Sequence, residues 1–248
     1  MVRAGLWVLI GLVSACAYGP ALGDEPQDID DEALRIVKEV DRIMGLEDIR
    51  SRQRMTIYRK DDSEREYVMD VMTSGTDRAF AEIIEPPREK GRQMLKLGDV
   101  VWSYLPSVKK SIRVAGRSKF MGGDFENNDV LRLDLVEDYV PRIAEDLPDQ
   151  YVLELEGKDL SLTYAKVKIW VDKATFQPSR QEYFTISGKL VKSASFSEIR
   201  RFDGVTRPAV IEMRSALSPK KRTVLDLIEF SKGVKNPEKV FLRSNLGK

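Results

Sequence analysis

The chain has 248 residues, 42% hydrophobic and 33% charged, with 41 basic against 40 acidic side chains, one cysteine and no histidine. Without histidine, Ser-His-Asp and Cys-His catalysis, His-ligated metal sites and the usual general base near neutral pH are excluded. One thiol excludes an intramolecular disulfide, and dispersed, balanced charge offers no clustered basic footprint for nucleic acid.

The first 23 residues follow the order of a secretory signal: Arg3, then the apolar run at 6–13, then small residues at Ala21 and Gly23 before Asp24 and Glu25. The run is too short for a spanning helix, which needs roughly 20 residues. Cleavage after Gly23 is expected. It removes Arg3, brings acidic and basic counts level, and leaves 24–248 as a single domain, a size common for all-β folds. Val13-Ser14-Ala15-Cys16 also fits lipoprotein processing, so acylation of Cys16 and membrane tethering is the alternative.

One helix is expected first. Asp30 or Asp31 can cap it by accepting a free backbone N–H. Leu34, Ile36, Val37, Val40, Ile43 and Met44 form one stripe. Gly45 is expected to end it in the left-handed conformation.

The period then changes to two. Gln53, Met55 and Ile57 alternate with Arg54, Thr56 and Tyr58, and Tyr67, Met69 and Val71 with Val68, Asp70 and Met72. Strands are also predicted at 78–84, 93–97 and 100–105. Turn signals at 61–63, 74–76, 86–87 and 98–99 separate them. After residue 150 the pattern resumes at 151–156, 165–172, 178–187, 190–201, 206–216 and 222–231, with hairpin turns at Ser187-Gly188 and Asp203-Gly204. These make about eleven strands, one face apolar and one charged, in an antiparallel sheet too large to stay flat. The fold class is therefore mainly β with α.

Residues 116–148 read as a loop with one or two short helices over the concave face, carrying Val130, Leu131, Leu133, Leu135 and Val136. Gly116-Arg117-Ser118-Lys119 lacks the spacing of a phosphate loop. Asp70, Glu82, Asp99 and Asp124 assemble into no carboxylate pair. No catalytic constellation and no cofactor or metal is called for. Lys109, Lys110, Arg113, Arg117 and Lys119 form a local basic run, and Trp170 alternates with Lys168 and Asp172 toward the outer face.

Trp102 and Tyr104 share one strand face, and Met55, Ile57, Met69, Val71, Ile211, Met213, Leu225 and Leu227 fall on apolar faces beside them. Alternation shows only which face is buried, so packed core and open cavity both remain. Methionine suits a surface that accepts chains of varied shape. Phe120-Met121-Gly122-Gly123-Asp124-Phe125 is either a fixed turn or a mobile lid, two glycines permitting unusual backbone angles.

The run Val101-Trp102-Ser103-Tyr104-Leu105-Pro106, the basic pair, Phe120–Phe125, Asp129 and Lys168–Asp172 together resemble the outer-membrane lipoprotein-sorting (LolA-like) family, in particular its periplasmic, exporter-associated branch. The likeness spans 24–248. It implies an incomplete, LolA/LolB-like β-barrel closed by helices, whose interior receives acyl chains and is lined by the ten residues just named, with 120–125 as its lid. It also implies a periplasmic carrier for a lipid or lipoprotein, working with an inner-membrane exporter of the ABC or RND/MMPL type. A non-catalytic adaptor with a solid interior is the rival reading. The family usually carries a small hydroxyl residue where this chain has Gly123.

Overall fold

The computed structural model of the protein describes residues 30–132, 134–218 and 220–248. The expected secretory segment, Cys16 and Leu133 lie outside the described residues. Helix α1 (Asp31–Met44) is capped by Asp30, whose Oδ1 accepts the Ala33 N–H at 2.9 Å. Ala33, Ile36, Val37, Val40, Ile43 and Met44 are its buried stripe. Gly45 does not take the left-handed conformation expected of it (φ −57°, ψ 151°). Glycine is needed there for space, since a Cβ would lie 2.3 Å from the Asp41 carbonyl oxygen.

One antiparallel sheet follows. Its first meander is β1 (Ile49–Tyr58), β2 (Glu64–Ser74), β3 (Arg78–Glu85), β4 (Gln93–Leu97), β5 (Val100–Leu105) and β6 (Lys110–Val114). The second is β7 (Tyr139–Asp146), β8 (Gln150–Gly157), β9 (Lys166–Asp172), β10 (Pro178–Phe184), β11 (Leu190–Phe202), β12 (Val205–Ser215) and β13 (Arg222–Lys232). The two join in the middle, where β1 pairs with β13, Met55 opposite Leu225. Between Arg52 and Gln53 that pairing slips by a bulge, which bends the strand and raises its twist.

Among the described residues the sheet has thirteen strands where eleven were expected, and the two unread ones are its free edges, β6 and β7. Edge strands carry mixed patterns because one side of the backbone has no partner, and proteins guard them with charge and proline. On β6, Lys110 and Arg113 are exposed, and β7 contains Pro141 and exposed Arg142. Lys110 and Arg113 of the basic run thus stand on the edge, while Arg117 donates to the Ser161 carbonyl and Lys119 pairs with Glu126.

The segment between β6 and β7 runs from one free edge to the other. It holds a 3-10 turn (Phe120–Gly122), α2 (Asn127–Leu131) and α3 (Leu135–Asp138). On the inner side, one core cluster gathers Met55, Ile57, Met69 and Val71 with Phe120 and Phe125. A second packs Ile36, Val37 and Val40 of α1 on Leu153, Leu155 and Ile169. Tyr183, Phe196 and Ile211 touch both clusters. On the outer side, two 3-10 turns of the tail (Glu238–Phe241 and Arg243–Asn245) cover β3–β5.

Candidate functional site

Between the two core clusters lies a cavity of about 600 Å³. Its floor is apolar and comes from the inner faces of β9–β13: Val167, Tyr183, Phe196, Ile211, Met213, Leu225 and Leu227. The period of two puts these side chains on one face, and the curl of the sheet makes that face concave. The connector and the end of α1 close it with Phe125, Val130, Leu135, Met44 and Leu46. At the rim stand exposed Asp99, Arg117, Asp159 and Ser161.

The ten residues expected in a cavity separate into three groups. Ile211, Met213, Leu225 and Leu227 line it. Met55, Ile57, Met69 and Val71 share that inner face but are packed with Phe120 and Phe125. Trp102 and Tyr104 must be corrected: they point outward. On β5 it is Val101 and Ser103 that are buried inside, while the Arg243 guanidinium stacks 3.7 Å from the Trp102 ring centroid. Gly247 lies so close to the Tyr104 ring that a Cβ there would come within 2.4 Å. The tail makes the outer face of β5 apolar too, which is why pattern alone chose the wrong side. Trp170 is on the outer face as expected, half-buried between Lys168 and Arg180.

Residues 120–125 fold inward over the first cluster. Met121 (φ 50°) and Gly122 (φ 78°) turn the chain, and Phe120 and Phe125 are buried. Buried Asp124 fastens the segment to β13. Its N–H donates to Thr223 Oγ1 at 2.9 Å, and that hydroxyl donates to Asp124 Oδ2 at 2.8 Å. Lys221 Nζ donates to the Gly122 carbonyl at 3.1 Å. Gly123 faces Thr223 and Ile57 with room for little more than hydrogen: a Cβ would sit 3.1 Å from Thr223 Oγ1 and 3.3 Å from Ile57 Cδ1.

Three buried cations were not singled out from sequence; one of them, Lys96 on β4, lines the cavity and donates to the Gly98 carbonyl. Lys192, 1% exposed, donates to Asp129 Oδ2 at 2.9 Å and to the Asp124 carbonyl at 3.1 Å, with Glu126 Oε1 at 3.6 Å. The Tyr164 hydroxyl donates to both Asp129 oxygens at 2.9 and 3.0 Å. Burial, aided by Asp129, pushes the Tyr164 phenol far up, so it stays a donor. Burial also raises the Glu126 carboxyl, against the pull of Lys192. Arg207, 4% exposed, lines the cavity itself. The missed signal was period two: Lys192 shares a face with Ala194 and Phe196, and Arg207 with Ala209, Ile211 and Met213. Asp41 Oδ2 accepts the Val136 N–H at 2.8 Å, joining α1 to α3, and burial raises its carboxyl to about 6. Among the described residues, no group of three metal-ligating side chains occurs.

A solved LolA superfamily protein of Nitrosomonas europaea matches this structure with a TM-score of 0.77 and 30% identity, over 86% of this chain and 99% of that one. The chain belongs to the LolA superfamily. Two further structures share the LolA fold at 23% identity. One is an outer membrane lipoprotein-sorting protein domain of Vibrio parahaemolyticus (TM-score 0.75; 88% of this chain, 99% of that one). The other is a DUF1329 family protein of Desulfovibrio piger (TM-score 0.76; 87% and 98%). Residues 75–248 also match a family described as "-like: Uncharacterized protein". No curated protein matches the chain. In this LolA superfamily member the two halves of the motif at 101–125 serve opposite sides of one sheet: Trp102 and Tyr104 hold the tail outside, and Phe120 and Phe125 fill the inside.

Proposed function

We propose that the protein is a periplasmic carrier that shields acyl chains of a lipid or lipoprotein from water. On this reading residues 1–23 direct export and are removed, 24–248 are the working domain, and tethering through Cys16 is the variant form. An inner-membrane exporter of the ABC or RND/MMPL type delivers or receives the cargo, and the protein binds rather than catalyses. The observation that carries the reading is the hollow of about 600 Å³, apolar along its floor, inside an unclosed sheet. That volume is typical of ligand pockets, and apolar burial contributes roughly 25 cal/mol per Å². An adaptor with a solid interior would have no use for such a space.

Residues 120–125 are the lid in this scheme, in its closed position. Opening requires breaking the Asp124–Thr223 pair and lifting Phe120 and Phe125, so cargo entry has to offset their loss. The experiment is native mass spectrometry of protein purified without detergent, paired with titration of a fluorescent acyl probe. Co-purified lipid, or saturable binding at one site, is expected. Absence of both overturns the proposal.

A further inference from the structure

Among the described residues, Arg207 is a buried cation with no counter-charge. It projects from β12 on the inner face, the next inward position before Ala209. Its Nη2 reaches the Met44 carbonyl only at 3.5 Å, the outer limit of a hydrogen bond. Nε and Nη1 have no partner among the described residues. Nε carries one N–H and Nη1 two, so three of the five guanidinium donors lack an acceptor. The other close neighbour is apolar: the Phe230 ring, its centroid 4.5 Å from the guanidinium carbon.

No carboxylate among the described residues offsets this charge. Burial is the one influence on its ionisation, lowering it to about 10, so Arg207 stays protonated at neutral pH. Arg207 in turn helps burial to lower the Lys232 ammonium, a charge of its own sign. Lys192 shows the contrast. Buried Lys192 is supplied with Asp129, Glu126 and a carbonyl, and buried Lys96 has the Gly98 carbonyl with Asp99, Asp77 and Asp138 near enough to favour its charge. Burying a charge unpaired is costly, and buried charges are otherwise paired or bound to ions. An unpaired guanidinium on the wall of a cavity with an apolar floor has the form of half an ion pair, and the planar fork of arginine matches carboxylate and phosphate oxygens.

We infer that Arg207 anchors the anionic head group, carboxylate or phosphate, of an acyl ligand whose chain lies along Ile211, Met213 and Leu225. This rests on the carrier reading and narrows it from any acyl chain to one bearing a negative head that enters the cavity. The aliphatic floor runs away from Arg207 along the same strand, so head and tail are satisfied within one hollow.

The test uses the mature protein and three probes of matched chain length: palmitate, palmitoyl lysophosphatidic acid and hexadecanol, titrated at pH 7.5. Wild type is expected to bind at least one of the two anions tenfold or more tighter than the alcohol. Whichever anion leads identifies the head group as carboxylate or phosphate. Arg207→Gln is expected to erase that preference, weakening the anion by ten- to a hundredfold and leaving hexadecanol unchanged. Arg207→Lys is expected to restore part of it. Hexadecanol binding reports that each variant is folded. If Arg207→Gln does not fold, the wild-type preference decides alone. Equal binding of anions and alcohol by wild type overturns the inference while leaving the carrier intact. Failure of all three probes to bind wild type sinks the carrier reading itself.

Discussion

Filling the hollow from its own floor separates a binding cavity from a packing defect. Ala209 is 1% exposed, sits between Arg207 and Ile211 on the inner face of β12, and lines the cavity. Ala209→Phe places a phenyl ring where cargo would lie. The ring takes the room of roughly three to four methylene groups, each worth about 0.8 kcal/mol when buried. The loss for a long chain is then about 3 kcal/mol, or two orders of magnitude in affinity. A chain short enough to avoid the ring loses far less, so the variant shifts length preference as well as affinity. The assay is probe displacement with decanoate, myristate and palmitate, beside a urea melt. The melt is expected to hold or rise, because filling space inside a fold stabilises it by about 0.5–2 kcal/mol. An equal loss at every chain length, or unchanged palmitate affinity in a folded variant, refutes the reasoning.

Lys192→Met strands Asp129 and Glu126 beneath the connector. It should cost about 3–5 kcal/mol in urea unfolding, and less at pH 5 than at pH 8, because Glu126, already raised by burial, can then take up a proton. Asp41→Asn keeps an acceptor for Val136 and removes the charge. The folded carboxyl, raised to about 6 from 3.8, gives stability that is full below pH 3.8 and lost as pH climbs through 6. The Asn variant should therefore exceed wild type by at most about 3 kcal/mol at pH 8 and match it near pH 4. Trp102→Ala removes the platform for Arg243, Phe241 and Leu246. It should cost about 2 kcal/mol, expose residues 238–248 to protease, and leave acyl-probe affinity untouched. A fall in that affinity would return Trp102 to the cavity.

Most of the sheet could be read from its sequence, because strands such as β1 and β9 alternate buried with more exposed residues and have neighbours on both sides. The α1 stripe was legible for the same reason at its own period. The edges were not: β6 and β7 have one unpaired side, so charge and Pro141 replace alternation. Nor was sidedness on β5, where the tail buries Trp102 from outside while Ser103 faces in. Lys192 and Arg207 escaped notice because a cation in a strand is ordinarily assigned to water. Their neighbours at even spacing say otherwise, and only the packed structure shows that one has its counter-charges and the other has none.

The pairing of β1 with β13 also bears on when this protein can fold. The hairpins within each meander join near neighbours and can form early. The central seam cannot, since Met55 must wait for Leu225. Contacts so distant in sequence slow folding. Until residues 222–232 arrive, β1 presents a bare ladder of amides and carbonyls, a template for unwanted strands. A molecule assembled in this order gains from staying unstructured until its last strand has been delivered, and from an escort that masks β1 in the interval.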